Sequence, residues 1–154
     1  MAVLRSNDGN YELAFEFSKI ANNANSRVIK TTLRIQGTHW DGDHTHEISL
    51  MIEALWIISE KLVETRDCIR SWVDQPLNQL VNSNLKNELE LTELPGQSLT
   101  LRFGSRPEII SGINPVVTVT YRAGPLSGEY IFVTDQSCLG NFAEEISCQL
   151  ALST

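Results

Sequence analysis

Apolar and polar residues alternate strictly along residues 11–20. Tyr11, Leu13, Phe15 and Phe17 fall on one side, and Glu12, Ala14, Glu16 and Ser18 on the other. A period of two predicts a strand with one buried face. Residues 27–37 repeat the pattern, with Ile29, Thr31, Leu33 and Ile35 opposite Lys30, Thr32, Arg34 and Gln36. The polar tract between them, residues 21–26, has the composition of a turn. So short a connection permits only antiparallel pairing.

The chain is organised around residues 47–73, EISLMIEALWIISEKLVETRDCIRSWV. Asp41-Gly42 supplies a turn before it. Ile48, Leu50, Ile52 and Ala54 then alternate with Glu47, Ser49, Met51 and Glu53, until the pattern is lost at Leu55-Trp56-Ile57-Ile58. Two readings fit that loss: a strand running on to about Val63, buried on both faces or bulged, or a helix from near Glu53 to Val73. The β-branched pair Ile57-Ile58 favours the strand. Thr65 is then expected to cap a helix with Asp67 in its first turn and a stripe of Cys68, Ile69, Trp72 and Val73. Pro76 interrupts or restarts it, and Leu77, Leu80 and Val81 are expected to add a second short turn of helix. Trp56 and Trp72 lie on apolar stripes and read as core. Trp40 sits in a polar turn, where it either anchors a partner or packs over a strand end.

The remainder returns to strands. Leu89 and Leu91 alternate with Glu88 and Glu90, Pro95-Gly96 turns the chain, and Leu99, Leu101 and Phe103 follow. Residues 115–121 and 130–133 make two more strands. Asp135 caps a closing helix that places Leu139, Phe142, Ala143, Ile146 and Leu150 on one side. The predicted fold is a single α+β domain over residues 1–154. It has an antiparallel sheet or sandwich of about seven strands, a short central helix and a C-terminal amphipathic helix.

Composition sharpens this picture in three ways. The 154-residue chain is long enough for a proper core, with no apolar run of membrane-spanning length and no signal-peptide pattern at its start. A cytoplasmic location is the expectation. Three cysteines, Cys68, Cys138 and Cys148, form no CxxC pair and read as reduced core or semi-core thiols within helices. The charge is uneven: residues 41–93 hold eleven acids and four bases, and so carry the entire net charge of −7. Such a surface repels nucleic acid. It either solubilises the fold or steers a basic partner.

No catalytic signature emerges. GPLSG around Ser127 is not GxSxG, and neither a P-loop nor GxGxxG occurs. Cys68 has no histidine nearby in sequence. Glu144 and Glu145 diverge on a helix and so cannot work as an acid/base pair. All three histidines, His39, His44 and His46, fall in one short segment with Asp41 and Asp43. They match no metal-site spacing, and a turn explains Asp41-Gly42 without a metal. Solvated histidines are therefore preferred, with His44, His46 and Asp43 the first choices should a metal bind. No cofactor is implied, and a non-enzymatic protein is expected.

Trp40-Asp41-Gly42 in a turn, residues 67–73 (DCIRSWV) in a helix, and Glu93-Leu94-Pro95 before a strand occur in an order that resembles small bacterial immunity proteins of the WapI type. Those proteins protect cells against contact-dependent toxins. The resemblance spans residues 28–152 and implies a binding protein that occludes a toxin's active face. The acidic excess agrees, because nuclease toxins must be basic to engage phosphates. The residues expected to meet such a partner are Trp40, Asp41, Asp43, Glu53, Glu60, Glu64 and Asp67. The competing expectation is a structural or adaptor subunit that uses a strand edge or the closing helix, and self-association is compatible with either.

Overall fold

A computed structural model describes residues 1–23, 26–73, 88–92, 95–105 and 115–152. The first two alternating segments become strands β2 (Tyr11–Asn23) and β3 (Ser26–Trp40), paired antiparallel as expected. Both run further than the pattern indicates: β2 into the polar tract, and β3 through His39 and Trp40. A short strand that the pattern did not signal, β1 (Ala2–Arg5), pairs with β2, while β4 (Thr45–Ile58) pairs with β3. The second half of the chain forms β5 (Glu88–Glu90), β6 (Gln97–Ser105), β7 (Pro115–Ala123) and β8 (Leu126–Val133). The fold is α+β, with two four-stranded antiparallel sheets, β1-β2-β3-β4 and β5-β6-β7-β8, rather than one sheet of seven strands. Among the described residues, helices α1 (Ser59–Val73) and α2 (Gln136–Leu152) accompany the sheets.

One core serves all of these elements. Leu13, Leu33 and Ile35 of the first sheet, Leu101, Val119 and Phe132 of the second, and Leu62, Ile69, Phe142 and Ile146 of the helices are buried in a single cluster. Phe15 meets Phe142 of α2 at 5.8 Å between ring centroids, and Tyr11 meets Tyr130 of β8 edge-on at 6.2 Å. The inner face of the first sheet therefore packs against both the second sheet and the closing helix. Backbone bonds join the sheets at both sides, from Asn7 N to Val133 O (3.0 Å) and from Ile58 N to Leu91 O (3.0 Å). Along β1, Val3 N donates to Glu145 Oε2 of α2 at 2.6 Å.

The lost alternation at residues 55–58 is a β-bulge. Leu33 pairs with Ile52 and Thr31 with Leu55, so β4 carries one residue more than β3 between these points. Ala54 absorbs the extra residue at φ 60°, a backbone conformation ordinarily left to glycine. Since side chains alternate with a period of two, one inserted residue reverses the facing of everything after it. The inner set changes from Leu50 and Ile52 to Leu55 and Ile57, both fully buried, and Trp56 becomes half-buried on the other face rather than core. Gln97 fills the gap the bulge leaves in the ladder: its Nε2 donates to Ala54 O (2.9 Å) and its Oε1 accepts from Trp56 N (3.2 Å). A second bulge at Ser18 bends β2.

The strand ends at Ile58, short of Val63, and α1 starts at Ser59 rather than at Thr65. Thr65 is buried inside the helix and donates its hydroxyl to Lys61 O at 2.7 Å, so it caps nothing. Glu60 in the first turn and Arg70 in the last suit the helix dipole. Asp135 does cap α2, its Oδ1 accepting from Cys138 N at 2.7 Å. Leu139, Phe142, Ala143 and Ile146 are buried as expected, and Leu150 is half-buried. Cys68 and Cys138 are half-buried free thiols, whereas Cys148 is exposed and outside the core. The readings placed on Pro76, Leu77, Leu80, Val81 and Glu93-Leu94 lie outside the described residues, as does the side chain of Trp72. Among the described residues, no helix is long and apolar enough to cross a membrane.

Left-handed backbone at a non-glycine residue costs about 1–2 kcal/mol, partly offset by the greater chain entropy glycine brings to the unfolded state. Ala54→Gly should therefore stabilise the fold by about 0.5–1 kcal/mol. Urea unfolding checks this, with a raised midpoint and an unchanged m-value as the expected outcome.

Candidate functional site

Tyr11, the first residue of β2, pairs with Gly37, so the last residues of β3 and the start of β4 run beyond their neighbour. Thr38 N still donates to Asn10 O at 2.9 Å, and past it the two strands continue alone as a hairpin arm. Residues 38–49 are all exposed, on both faces of the arm. Its base is braced from inside. Gly37 lacks a side chain because the ring of Tyr11 lies across it, so that a Cβ there would overlap the ring. The Tyr130 hydroxyl donates to Gln36 O at 3.4 Å. Burial pushes the Tyr130 phenol well above its ordinary range, which keeps it a protonated donor. The Tyr11 hydroxyl lies 3.1 Å from His39 Nδ1.

The tip is held by one carboxylate. Asp41 Oδ1 accepts from Asp43 N (2.9 Å) and His44 N (2.8 Å), and its Oδ2 bonds His46 Nε2 at 2.6 Å. Gly42 supplies the φ of 102° that the turn requires. The His46 bond first, then the two backbone amides, lower the Asp41 pKa from 3.8 to about 2. Trp40 is the last residue of β3, paired with Thr45, rather than part of the turn itself. It is 69% exposed, so most of its ring faces solvent. Asp43 is exposed next to it.

The remaining site residues proposed from sequence lie elsewhere. Glu53 is exposed at the bulge, and Glu60, Glu64 and Asp67 are on α1. Glu64 pairs with Lys61 at 3.2 Å and Asp67 with Arg66 at 2.9 Å. A 14-residue strand separates the helix from the arm tip, on the order of 40 Å at 3.3 Å per residue. The structure thus brings Trp40, Asp41 and Asp43 together and separates them from Glu60, Glu64 and Asp67. Asp74 and Glu93 lie outside the described residues.

The outer side of the arm's base holds an open cleft of about 450 Å³, bounded by Asn10, Glu12, Gln36, Thr38, Glu47 and Ser49. The sequence pattern placed Ile48 on the apolar side of β4, yet it is 40% exposed, since alternation alone does not show where a strand leaves the body; Met51, on the polar side, is 53% exposed as the pattern implies. His44 and His46 lie with ring centroids 6.4 Å apart, while His46 is engaged by Asp41 and His39 by Tyr11. Among the described residues, no three His, Cys, Asp or Glu side chains converge as a metal site would need.

No family model matches the chain, and no curated protein matches its sequence.

The Asp41 carboxylate has a lower pKa in the folded tip than in an unfolded chain. Its contribution is therefore fully present above 3.8 and fades as pH falls toward about 2. Amide shifts of Asp43 and His44, followed by NMR, should titrate within that window. In Asp41→Asn the step should vanish, and an identical titration in that variant would show that this carboxylate does not hold the turn.

Proposed function

We propose that this is a non-enzymatic binding protein of the immunity type, which neutralises a basic toxin domain by inserting the β3–β4 arm against its active face. The observation that carries this reading is Trp40, largely exposed at the end of a braced hairpin beside the carboxylates of Asp41 and Asp43. A rigid aromatic ring flanked by ionised groups suits a partner that offers an apolar pocket rimmed by basic residues. The acids provide attraction and orientation, and the indole provides buried area. The low pKa of Asp41 keeps the tip charged throughout the physiological range. Glu53, Glu60, Glu64 and Asp67 sit too far back to share that pocket. They add to the long-range field that draws a cationic partner in.

A tagged pull-down from source cells at low salt should retain a basic domain, and added salt should weaken the complex. Trp40→Ala should cost about 2 kcal/mol, roughly thirtyfold in Kd, as measured by calorimetry on the purified pair. Asp41→Asn with Asp43→Asn should slow association and flatten the salt dependence. Capture of a partner indifferent to both Trp40 and the two acids would sink the reading and favour an adaptor subunit.

A further inference from the structure

The outer edge of β4 is treated differently on the two sides of its bulge. After the bulge, the outward groups are taken within the chain: Ala54 O and Trp56 N by Gln97, and Ile58 N by Leu91 O. Before the bulge, β4 is an outer strand of its sheet. Thr38 N turns away from β4 toward Asn10 O, so Glu47, paired with Thr38, turns its own N–H and C=O away from β3. With a period of two, Thr45, Ser49, Met51 and Glu53 do the same. None of these five has a backbone partner on that side among the described residues. This unpaired stretch also carries the exposed Ile48 and Met51.

We propose that β4 of a second copy of this chain occupies this edge, pairing antiparallel about a two-fold axis at Ser49, so that two four-stranded sheets join into one of eight. The partner is identified by the self-complementarity of residues 45–53, THEISLMIE. With Ser49 opposite Ser49, Glu47 meets Met51 and Thr45 meets Glu53. On the inner face, the exposed Ile48 meets Leu50, twice over. All five outward-facing residues of each copy then find a partner, and pairing stops where Gln97 takes over the edge. Two neighbouring registers set like charges opposite one another, which destabilises a sheet: centring on Leu50 opposes Glu47 and Glu53, and centring on Glu47 stacks it on itself. Centring on Ile48 leaves Glu53 opposite the turn residue Asp43, and centring on Met51 sets Glu47 opposite Leu55 beyond the bulge, so neither pairs all five outward-facing residues. The dimer rests on the edge geometry and not on the toxin-binding reading, so either can fail without the other.

The test uses the full-length chain, with light scattering after size-exclusion chromatography. The expected mass is twice 17.2 kDa and falls on dilution. Ser49→Pro removes an outward donor and leaves the β3 ladder intact, so it should yield a monomer with an almost unchanged melting curve. Ile48→Lys, on an exposed side chain, should also yield a monomer and covers the case in which the proline variant folds poorly. In a Cys148→Ser background, Ser49→Cys should form an intermolecular disulfide on mild oxidation, since directly opposed residues lie within disulfide reach. Glu47→Cys alone should not, whereas a mixture of Glu47→Cys and Met51→Cys chains should cross-link. A monomer at the highest soluble concentration would overturn the proposal. So would a dimer that survives Ser49→Pro and fails to cross-link through Ser49→Cys.

Discussion

The single inserted residue in β4, bridged by Gln97, is the constraint on which the rest of the molecule depends. Without it, Leu55 and Ile57 would continue the earlier phase and face outward, and both are fully buried. With it, the strand's second half turns its apolar side into the shared core and delivers the chain at Ile58 to the start of α1. Gln97 belongs to β6, so the side chain that satisfies the bulge also fastens the first sheet to the second. A backbone defect in one sheet is thereby the point where the two sheets are joined. The cost of a left-handed alanine is offset by two hydrogen bonds that exist only in the folded chain.

The start of β2 at Tyr11 divides β3 and β4 into a body and an arm. On the body side both faces have neighbours, and even the outer Val28 and Ile58 are buried. On the arm side the inner row is Ile35, Gly37 and His39 opposite Leu50, Ile48 and His46, and burial fades along it. Ile48 in that row is 40% exposed, so the hairpin stands away from the core and depends on its own turn and on Tyr11 and Tyr130 at its base. These two rings brace the base of the arm, Tyr11 lying across Gly37 and Tyr130 bonding Gln36 O, and the Asp41 carboxylate ties its end.

Charge follows this division. The acidic excess of residues 41–93 looks like one surface when read along the chain, yet the arm tip and α1 are at opposite ends of β4. On the helix, lysine and arginine neighbours neutralise Glu64 and Asp67. At the tip, the partners of Asp41 are amides and His46, which hold it ionised rather than cancelling it by a fixed cation. Equal formal charges thus present different fields to an approaching molecule.

Periodicity by itself determined the α+β class, the antiparallel β2–β3 pair, the Asp41-Gly42 turn and the Asp135-capped closing helix, because each rests on local chemistry: alternating faces, a glycine able to reach positive φ, and a carboxylate beside free amides. Tertiary structure alone decided what depends on distant partners. The break at residues 55–58 could be a bulge or a helix until Gln97, some forty residues on, satisfied the ladder. Thr65 has the side chain of a cap, but the helix begins six residues earlier, where the strand meets Leu91. The short β1 became visible only through its pairing with β2 and its bond to Glu145. Ile48 sits on the apolar side of its strand and carries no local mark of exposure. Whether an apolar residue on a strand is core or surface is set by how far the neighbouring strand extends, and β2 begins at Tyr11.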